Sequence, residues 1–465
     1  MRFLLPVSSS PLPLSPGVAG TFFAVGCVLS VAVGVEPLIV GGGLLASGLL
    51  VWCFGSPLGG LTLTLSASAL FIRSTEDITL GEVACVALFG TAVAGWTARR
   101  ITARQPLAET ETDRLLAWFL ALCLFSLIPA LLYGNDLLKW LRELVPFLLL
   151  LAYFPVALSL RRVSEIRVLC LAYAVLCISV GVVNLYEYVQ NITDTRFLWE
   201  LLAGRRSSGE PLYFSTLVGV VLLTICRRPS GWKLWAGLAL TGFCVAVLAV
   251  TFSRGYWVAS VLALAVAFVW MTPTMRWRVI RTGTLIIAVM AAGVLLFMDR
   301  LMYDIFEALG DRAGTLFIGT LDLSVKNRLA ESAAVTDLIA ANPLWGYGLG
   351  VFYHYRPLIP YDIPTWYIHN AYLYLWLKIG LAGLVVFLLW YGRIVVHSYR
   401  VYRFTTDPFL KPLALAIHAV LIAMIPLSFT SPQFIQKDSL LFVAFGAAIV
   451  ERLYRTGGRL PSSET

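Results

Sequence analysis

Charged residues are scarce in this sequence, where they make up 13% of 465 residues. A soluble domain carries about 25% charged residues, so this scarcity excludes an ordinary water-soluble protein. The sequence also contains no Asp-x-Asp pair and no cysteine–histidine cluster with metal-ligand spacing. It therefore predicts a protein that uses neither a metal ion nor a cofactor.

Disulfide frameworks are missing as well. The eight cysteines include no Cys-x-x-Cys pair, and all lie within or at the ends of apolar runs. In such surroundings cysteine behaves as a small apolar side chain. We expect these cysteines to be packing residues.

Hydrophobic residues are abundant instead, at 59% of the chain. A membrane-spanning helix needs about 20 apolar residues, and fourteen segments approach that length. They lie at about residues 18–34, 37–55, 60–72, 79–96, 115–133, 144–160, 166–188, 211–226, 232–251, 255–271, 280–298, 369–392, 412–430 and 438–453. Glycine and proline interrupt the second and third, so the sequence predicts an all-α polytopic membrane protein with about 12–14 transmembrane helices.

The basic residues fall on one side of this layout. If all fourteen segments cross and the N-terminus is cytoplasmic, every short basic cluster lies in an inner loop, as the positive-inside rule requires. The net charge of +9 then reflects topology, and we expect no nucleic-acid partner. We expect a multi-pass protein in contact with membrane lipid, with both termini (residues 1–16 and 454–465) in the cytoplasm. Transmembrane helices would occupy 17–298 and 369–453, and a large, partly helical loop on the outer side would occupy 299–368.

Arginines on the outer side are not explained by the positive-inside rule. Arg254 follows Ser253 between two apolar runs with almost no spacer. An ionisable group at that depth is a functional candidate, although an arginine that snorkels to the lipid headgroups would fit the same position. Arg205 and Arg206 precede a return to the membrane, and the alternative for them is an ordinary solvated charge.

Arg328 and His369 are the other candidates on this side. Arg328 lies on a predicted helix of the long loop, where a surface ion pair with Glu331 is the alternative interpretation. His369 opens the apolar segment after the loop, and Tyr372 lies about one turn further on the same face. A histidine there can exchange protons near neutral pH, although a belt of interfacial aromatic residues would also fit. The remaining histidines are interpreted as structural: His354, His397 and His418.

Arginines and a histidine on one side form a chemically coherent set. Guanidinium groups bind phosphate oxygens bidentately and keep their charge. Imidazole can accept a proton from a hydroxyl group. A substrate with a diphosphate leaving group would use both, with arginine in the place of a divalent metal.

Three motifs between Arg205 and the end of the 369–392 segment resemble the O-antigen ligase and Wzy-type polymerase superfamily. They are Ser253-Arg254-Gly255, then Asn327-Arg328-Leu329 followed by the stretch 342–350, then His369-Asn370 with Tyr372-Leu373, Gly380 and Gly383. The stretch Arg206-Ser207-Ser208-Gly209 resembles the family's Arg-x-x-Gly loop more loosely. Members often carry an acidic residue at the position of Lys378, which indicates a different local charge pair in this chain.

The resemblance implies a metal-independent, inverting glycosyltransferase of the bacterial inner membrane that moves a glycan from undecaprenyl diphosphate to a periplasmic acceptor. The large loop at 299–368 would then be periplasmic. It implies that Arg254 and Arg328 bind the diphosphate and that His369 activates the acceptor hydroxyl, at an active site facing the periplasm. The residues expected to bind substrate are Arg205, Arg206, Ser253, Asn370 and Tyr372.

Several acceptors are compatible with these motifs. The motifs fit a ligase best, so the favoured activity is ligation of O-antigen to lipid A core, a step of lipopolysaccharide biosynthesis. A lipid-linked glycan would make the protein an O-antigen or exopolysaccharide polymerase, and a protein acceptor would make it an O-oligosaccharyltransferase. Outside this class, an anion or glycolipid transporter would be expected to show internal repeats and charged or broken helices at mid-membrane. The sequence shows no repeat, and its candidate residues cluster on one face. A structural assembly subunit is the remaining alternative.

Overall fold

Long apolar helices dominate the fold. The structure, a computed structural model, describes residues 37–69, 80–192, 209–227, 229–281, 323–355 and 363–461, with the single positions 284, 310 and 314. Fifteen α-helices are defined within these residues. They are α1 (Pro37–Gly55), α2 (Pro57–Ala67), α3 (Leu80–Thr102), α4 (Glu111–Phe125), α5 (Leu127–Leu132), α6 (Leu137–Leu148), α7 (Tyr153–Ser159), α8 (Val163–Ile192), α9 (Glu210–Arg227), α10 (Trp232–Val250), α11 (Arg254–Trp270), α12 (Leu323–Ala341), α13 (Ala371–Phe404), α14 (Leu410–Leu427) and α15 (Lys437–Arg455).

Eight stretches of the described residues are long and apolar enough to cross a bilayer. The prediction of an all-α polytopic membrane protein is therefore confirmed. Two further apolar helices are shorter, among them α11 with 17 residues. The total of 12–14 crossings stays a prediction, because the segment at 18–34 and most of 280–298 lie outside the described residues.

Several predicted segments differ in detail from the observed helices. The run at 115–133 is divided at Ser126 into α4 and α5. The glycines near the second and third segments do not abolish helix, because α1 and α2 form there. Helix α2 nevertheless has only 11 residues, or about 17 Å at 1.5 Å per residue, which is less than a hydrocarbon core of about 30 Å.

Arginines mark one end of the bundle, which we call the basic end. They occupy the last turns of α3, α9, α13 and α15, where a positive charge also complements the helix dipole. The C-terminal ends of α11 and α13 meet there, since the Tyr402 hydroxyl donates to the Trp270 carbonyl oxygen at 2.8 Å. The structure thus gathers the basic residues as the charge pattern predicts, while the orientation of this end toward the cytoplasm stays a prediction.

A buried ionic network joins three helices at the basic end. Arg455 of α15 pairs with Asp113 of α4 and with Glu451, whose Oε1 lies 3.1 Å from the arginine Nε. Oε2 of Glu451 lies 2.8 Å from Nδ1 of His397 on α13. The two carboxylates are 0% and 1% exposed. His397 is therefore part of this network, and its interpretation as a structural residue stays a prediction.

Before α13 the chain forms a small antiparallel hairpin of β1 (Tyr353–Tyr355) and β2 (Ile363–Thr365). Helix α12 agrees with the helical part predicted for the long loop, but the hairpin was not predicted. Together with α12 it stands at the end of the bundle opposite the basic end, where α13 begins. We call this the site end.

Candidate functional site

The N-termini of four helices meet at the site end: α9, α11, α13 and α15. Ser253, directly before α11, donates its hydroxyl to Oε1 of Glu210 at the start of α9, at 3.3 Å. Tyr256, in the first turn of α11, donates to Oε1 of Gln436 directly before α15, at 2.9 Å. Each helix N-terminus carries a partial positive charge, so their convergence favours an anion nearby.

Tyr367 connects this region with α12 and α13. Its hydroxyl is hydrogen-bonded to Gln436. Burial, with the charges of Glu210 and Glu331, raises the pKa of Tyr367 to about 12, against the lowering effect of Gln436 and Arg328. The phenol of Tyr367, in the segment before α13, is therefore influenced by side chains of α9 and α12 and by the residue before α15.

Glu331 of α12 holds His369. Its Oε2 lies 2.8 Å from Nδ1 of the imidazole, and its Oε1 accepts the backbone N–H of His369 at 3.2 Å. The carboxylate side chain is 4% exposed and the imidazole 39%. Because Nδ1 faces a carboxylate, the proton of a neutral ring belongs on Nδ1, and Nε2 is then the acceptor nitrogen.

Tyr353 joins the hairpin to this pair. Its hydroxyl oxygen lies 2.9 Å from Oε1 of Glu331 and 2.7 Å from the carbonyl oxygen of Tyr367. Burial, together with the charge of Glu331, raises the pKa of the Tyr353 phenol above its ordinary value. The position of Glu331 is thus set by strand β1 as well as by α12.

The predicted arginines lie at the same end. Arg254 is the first residue of α11, next to Ser253. Arg328 precedes Glu331 by three residues on α12, so the two lie on one helical face. Both arginines are partly buried, and neither is without interactions.

Asn370 and Tyr372 have structural partners. The Asn370 side chain caps α13 by accepting from the backbone N–H groups of Tyr372 and Leu373 at 3.0 and 3.2 Å. The Tyr372 hydroxyl donates to the Ile425 carbonyl oxygen at 2.8 Å. A direct contact of these residues with substrate stays a prediction, and Arg205 and Arg206 lie outside the described residues.

The sequence interpretation missed the partners of His369. Glu331 was considered only as an ion-pair partner of Arg328. The helical spacing already placed it on the Arg328 face, which is the one signal that could have identified it. Tyr353 and Tyr367 gave no periodic signal, because the hairpin and the adjoining loop bring them to Glu331.

A glycine-rich turn leads from α12 to the hairpin. Gly346, Gly348 and Gly350 have φ values of +69°, +84° and +77°, which favour glycine. A Cβ at Gly348 would lie 2.4 Å from the backbone nitrogen of Ala130, so the turn lies directly against α5. These glycines therefore fix the course of the chain that enters the site end.

Lys378 of α13 makes the local charge pair expected from its departure from the family pattern. Its Nζ pairs with Oε1 of Glu143 on α6. Within the described residues, no group of three or more histidine, cysteine, aspartate or glutamate side chains is arranged to hold a metal ion.

Comparison with known proteins matches residues 238–388 to the family described as O-Antigen ligase. The matched segment includes Arg254, Arg328, Glu331 and His369. A protein of Salmonella typhimurium, described as O-antigen ligase, is 28% identical over 162 residues, which cover 31% of this chain and 35% of that protein. The chain thus aligns with about a third of the relative's length. Together, the two matches support the assignment of this chain to the O-antigen ligase superfamily.

Proposed function

We propose that the protein is an inner-membrane glycosyltransferase that moves a glycan from undecaprenyl diphosphate to a periplasmic acceptor. The observation that carries this proposal is the His369–Glu331 pair, which lies on the arginine-bearing side of α12 at the site end. Lipid A core is the favoured acceptor, because the Salmonella relative is described as an O-antigen ligase.

The donor diphosphate would be held by Arg254 and Arg328. Each guanidinium group offers a planar fork of N–H donors that matches phosphate oxygens and stays charged at any relevant pH. The N-termini of α9, α11, α13 and α15 add partial positive charge on the same side. Arg205 and Arg206 are proposed to assist, as the sequence motif predicts.

His369 would act on the acceptor. Nε2 accepts the proton of the acceptor hydroxyl while the hydroxyl oxygen attacks the anomeric carbon on the face opposite the diphosphate. The bond between the anomeric carbon and the diphosphate oxygen breaks, and its electron pair leaves with undecaprenyl diphosphate, so the configuration inverts. The Glu331 carboxylate orients the ring and stabilises the imidazolium that forms.

The alternatives within this class share the donor chemistry and differ in the acceptor. An O-antigen or exopolysaccharide polymerase would use a lipid-linked glycan, and an O-oligosaccharyltransferase would use a protein. The match to a ligase favours lipid A core. A transporter would also need anion-binding arginines, but a histidine oriented by a buried carboxylate serves proton transfer better than passage of an anion.

The surface glycans of a strain that lacks this protein test the proposal. Unmodified lipid A core together with polymerised, unattached glycan is the expected result for a ligase. Single repeat units would identify a polymerase. An unmodified acceptor protein, such as a pilin, together with normal polysaccharide would identify an O-oligosaccharyltransferase. If the purified protein transferred no glycan from a lipid diphosphate to any of these acceptors, the proposed class would be wrong.

A further inference from the structure

The proposed chemistry does not use the ion pair between Lys378 and Glu143. The two side chains are 0% and 9% exposed. Removing two charges from water costs several kcal/mol per ion, and a buried pair is therefore weak evidence for added stability. The presence of this buried pair therefore needs an explanation other than added stability. The remaining hydrogen bonds of the two side chains supply one.

Each partner makes one further bond to the chain around the hairpin. Nζ of Lys378 donates to the carbonyl oxygen of Trp366 at 2.8 Å. Oε2 of Glu143 accepts the backbone N–H of Gly350 at 2.6 Å. Gly350 precedes β1 and Trp366 follows β2, so one ion pair fastens both ends of the hairpin segment to α6 and α13.

The residues around His369 lie close to these two attachment points. Tyr353, which contacts Glu331, follows Gly350 by three residues, and His369 follows Trp366 by three residues. Three residues span at most about 10 Å, so a displacement of either attachment point is transmitted to the pair. A misplacement of about 1 Å can cost about 10²-fold in rate.

Lys139 supports the same attachment from the neighbouring turn of α6. Its Nζ lies 3.8 Å from the centroid of the Trp366 ring, a cation–π contact. The Trp366 ring in turn packs edge-on against Phe352, with 5.4 Å between their centroids. Trp366 is thus held through its carbonyl oxygen and through its ring.

We propose that Glu143 and Lys378 are positioning residues for the transfer reaction, because together they hold the hairpin so that Glu331 and His369 meet. The inference rests on the proposed function for its effect on rate. Its structural content, the fastening of residues 350–355 and 363–366, can be measured without any transfer.

Exchange of the two charges tests the inference, as the double variant Glu143→Lys with Lys378→Glu. The exchange keeps an ion pair but reverses the hydrogen bonds, since a carboxylate would face the Trp366 carbonyl oxygen and an ammonium would face the Gly350 N–H. We expect a folded protein whose turnover falls at least about 10-fold with little change in KM for the donor. Hydrogen–deuterium exchange of residues 350–355 and 363–369 should become faster.

A conservative variant and a matched control accompany the exchange. Lys378→Arg keeps a donor for both acceptors and should retain most of the turnover. The exchange Glu111→Arg with Arg393→Glu inverts an ion pair at the basic end, where the partners are 67% and 42% exposed, and should leave turnover and hydrogen exchange unchanged. If the first exchange variant does not fold, Glu143→Leu with Lys378→Met, which removes both attachments, is measured in its place, with the same expected loss.

Wild-type turnover and hydrogen exchange in the folded exchange variant would overturn the inference and leave the proposed function intact. An equal loss in the control exchange would also overturn it, because the effect would then not be specific to the hairpin. If the wild-type protein transfers no glycan, the proposed function fails. The hydrogen exchange of residues 350–355 and 363–369 still decides whether the pair fastens the hairpin.

Discussion

His369 and Glu331 are 38 positions apart in the chain and in contact in the fold. The positions of the charged residues relative to the apolar runs were sufficient to predict Arg254, Arg328 and His369 as candidates. The same reasoning could not find Glu331 as the partner, because no local rule links a loop helix to the residue before a transmembrane helix. A contact that only tertiary packing creates is invisible to periodicity and spacing.

Replacement of the imidazole tests its chemical role. We expect His369→Ala to lower the transfer rate by about 10²–10⁴-fold, the usual contribution of general acid–base catalysis, with normal insertion into the membrane. The rate is measured with purified protein, a lipid-diphosphate-linked glycan and the acceptor identified in the deletion strain. His354→Ala, which changes an exposed histidine of the hairpin, is the control and should behave as wild type. Full activity of His369→Ala would remove the general-base role.

Replacement of a guanidinium group by an ammonium tests how the diphosphate is bound. Arg254→Lys keeps the charge but loses the planar fork, so we expect at least about a 10-fold loss in kcat/KM. Arg276→Lys is the matched control, because Arg276 donates to the Phe268 and Val269 carbonyl oxygens at the basic end. Normal rates for the Arg254→Lys variant would mean that a point charge suffices and that bidentate binding is the wrong account.

At the scale of elements, the apolar runs predicted the long helices well. They did not predict the short elements, which are the break between α4 and α5 and the two strands of the hairpin. A run of about 20 apolar residues has few structures open to it in a membrane, because its backbone must bond internally. The division at Ser126 and the strands Tyr353–Tyr355 and Ile363–Thr365 carry no such constraint, and three-residue strands are too short to show alternation. They form because the surrounding chain holds them in place.

The glycine-rich turn offers a test at this scale. Gly348→Ala places a Cβ 2.4 Å from the Ala130 nitrogen at a φ of +84°, so we expect a destabilisation of roughly 1–3 kcal/mol. Thermal unfolding in detergent measures it. Gly392→Ala, within α13, meets no atom within 4 Å and should be neutral or slightly stabilising. Equal unfolding temperatures for the two variants would show that the turn does not lie tightly against α5.

At the scale of the whole molecule, the separation of the basic end from the site end predicts the orientation in the membrane. A cysteine introduced in place of exposed Ala333 of α12 should react with an impermeant thiol reagent from the periplasmic side. A cysteine introduced in place of exposed Gln105, beyond α3 at the basic end, should react only after the membrane is opened. The unmodified chain serves as the blank for its own cysteines, and the reverse labelling pattern would contradict a periplasmic site.

The buried network at the basic end has a consequence for biosynthesis. Asp113 reaches the membrane early in synthesis, while its partner Arg455 is added 342 residues later. Until then the carboxylate lacks the guanidinium that neutralises it in the finished fold. Because burial of an unpaired charge is costly, we expect the helices around Asp113 to remain loosely associated during that time. A chain interrupted before Arg455 would keep that defect permanently, which gives membrane proteases a means of distinguishing truncated copies from finished ones.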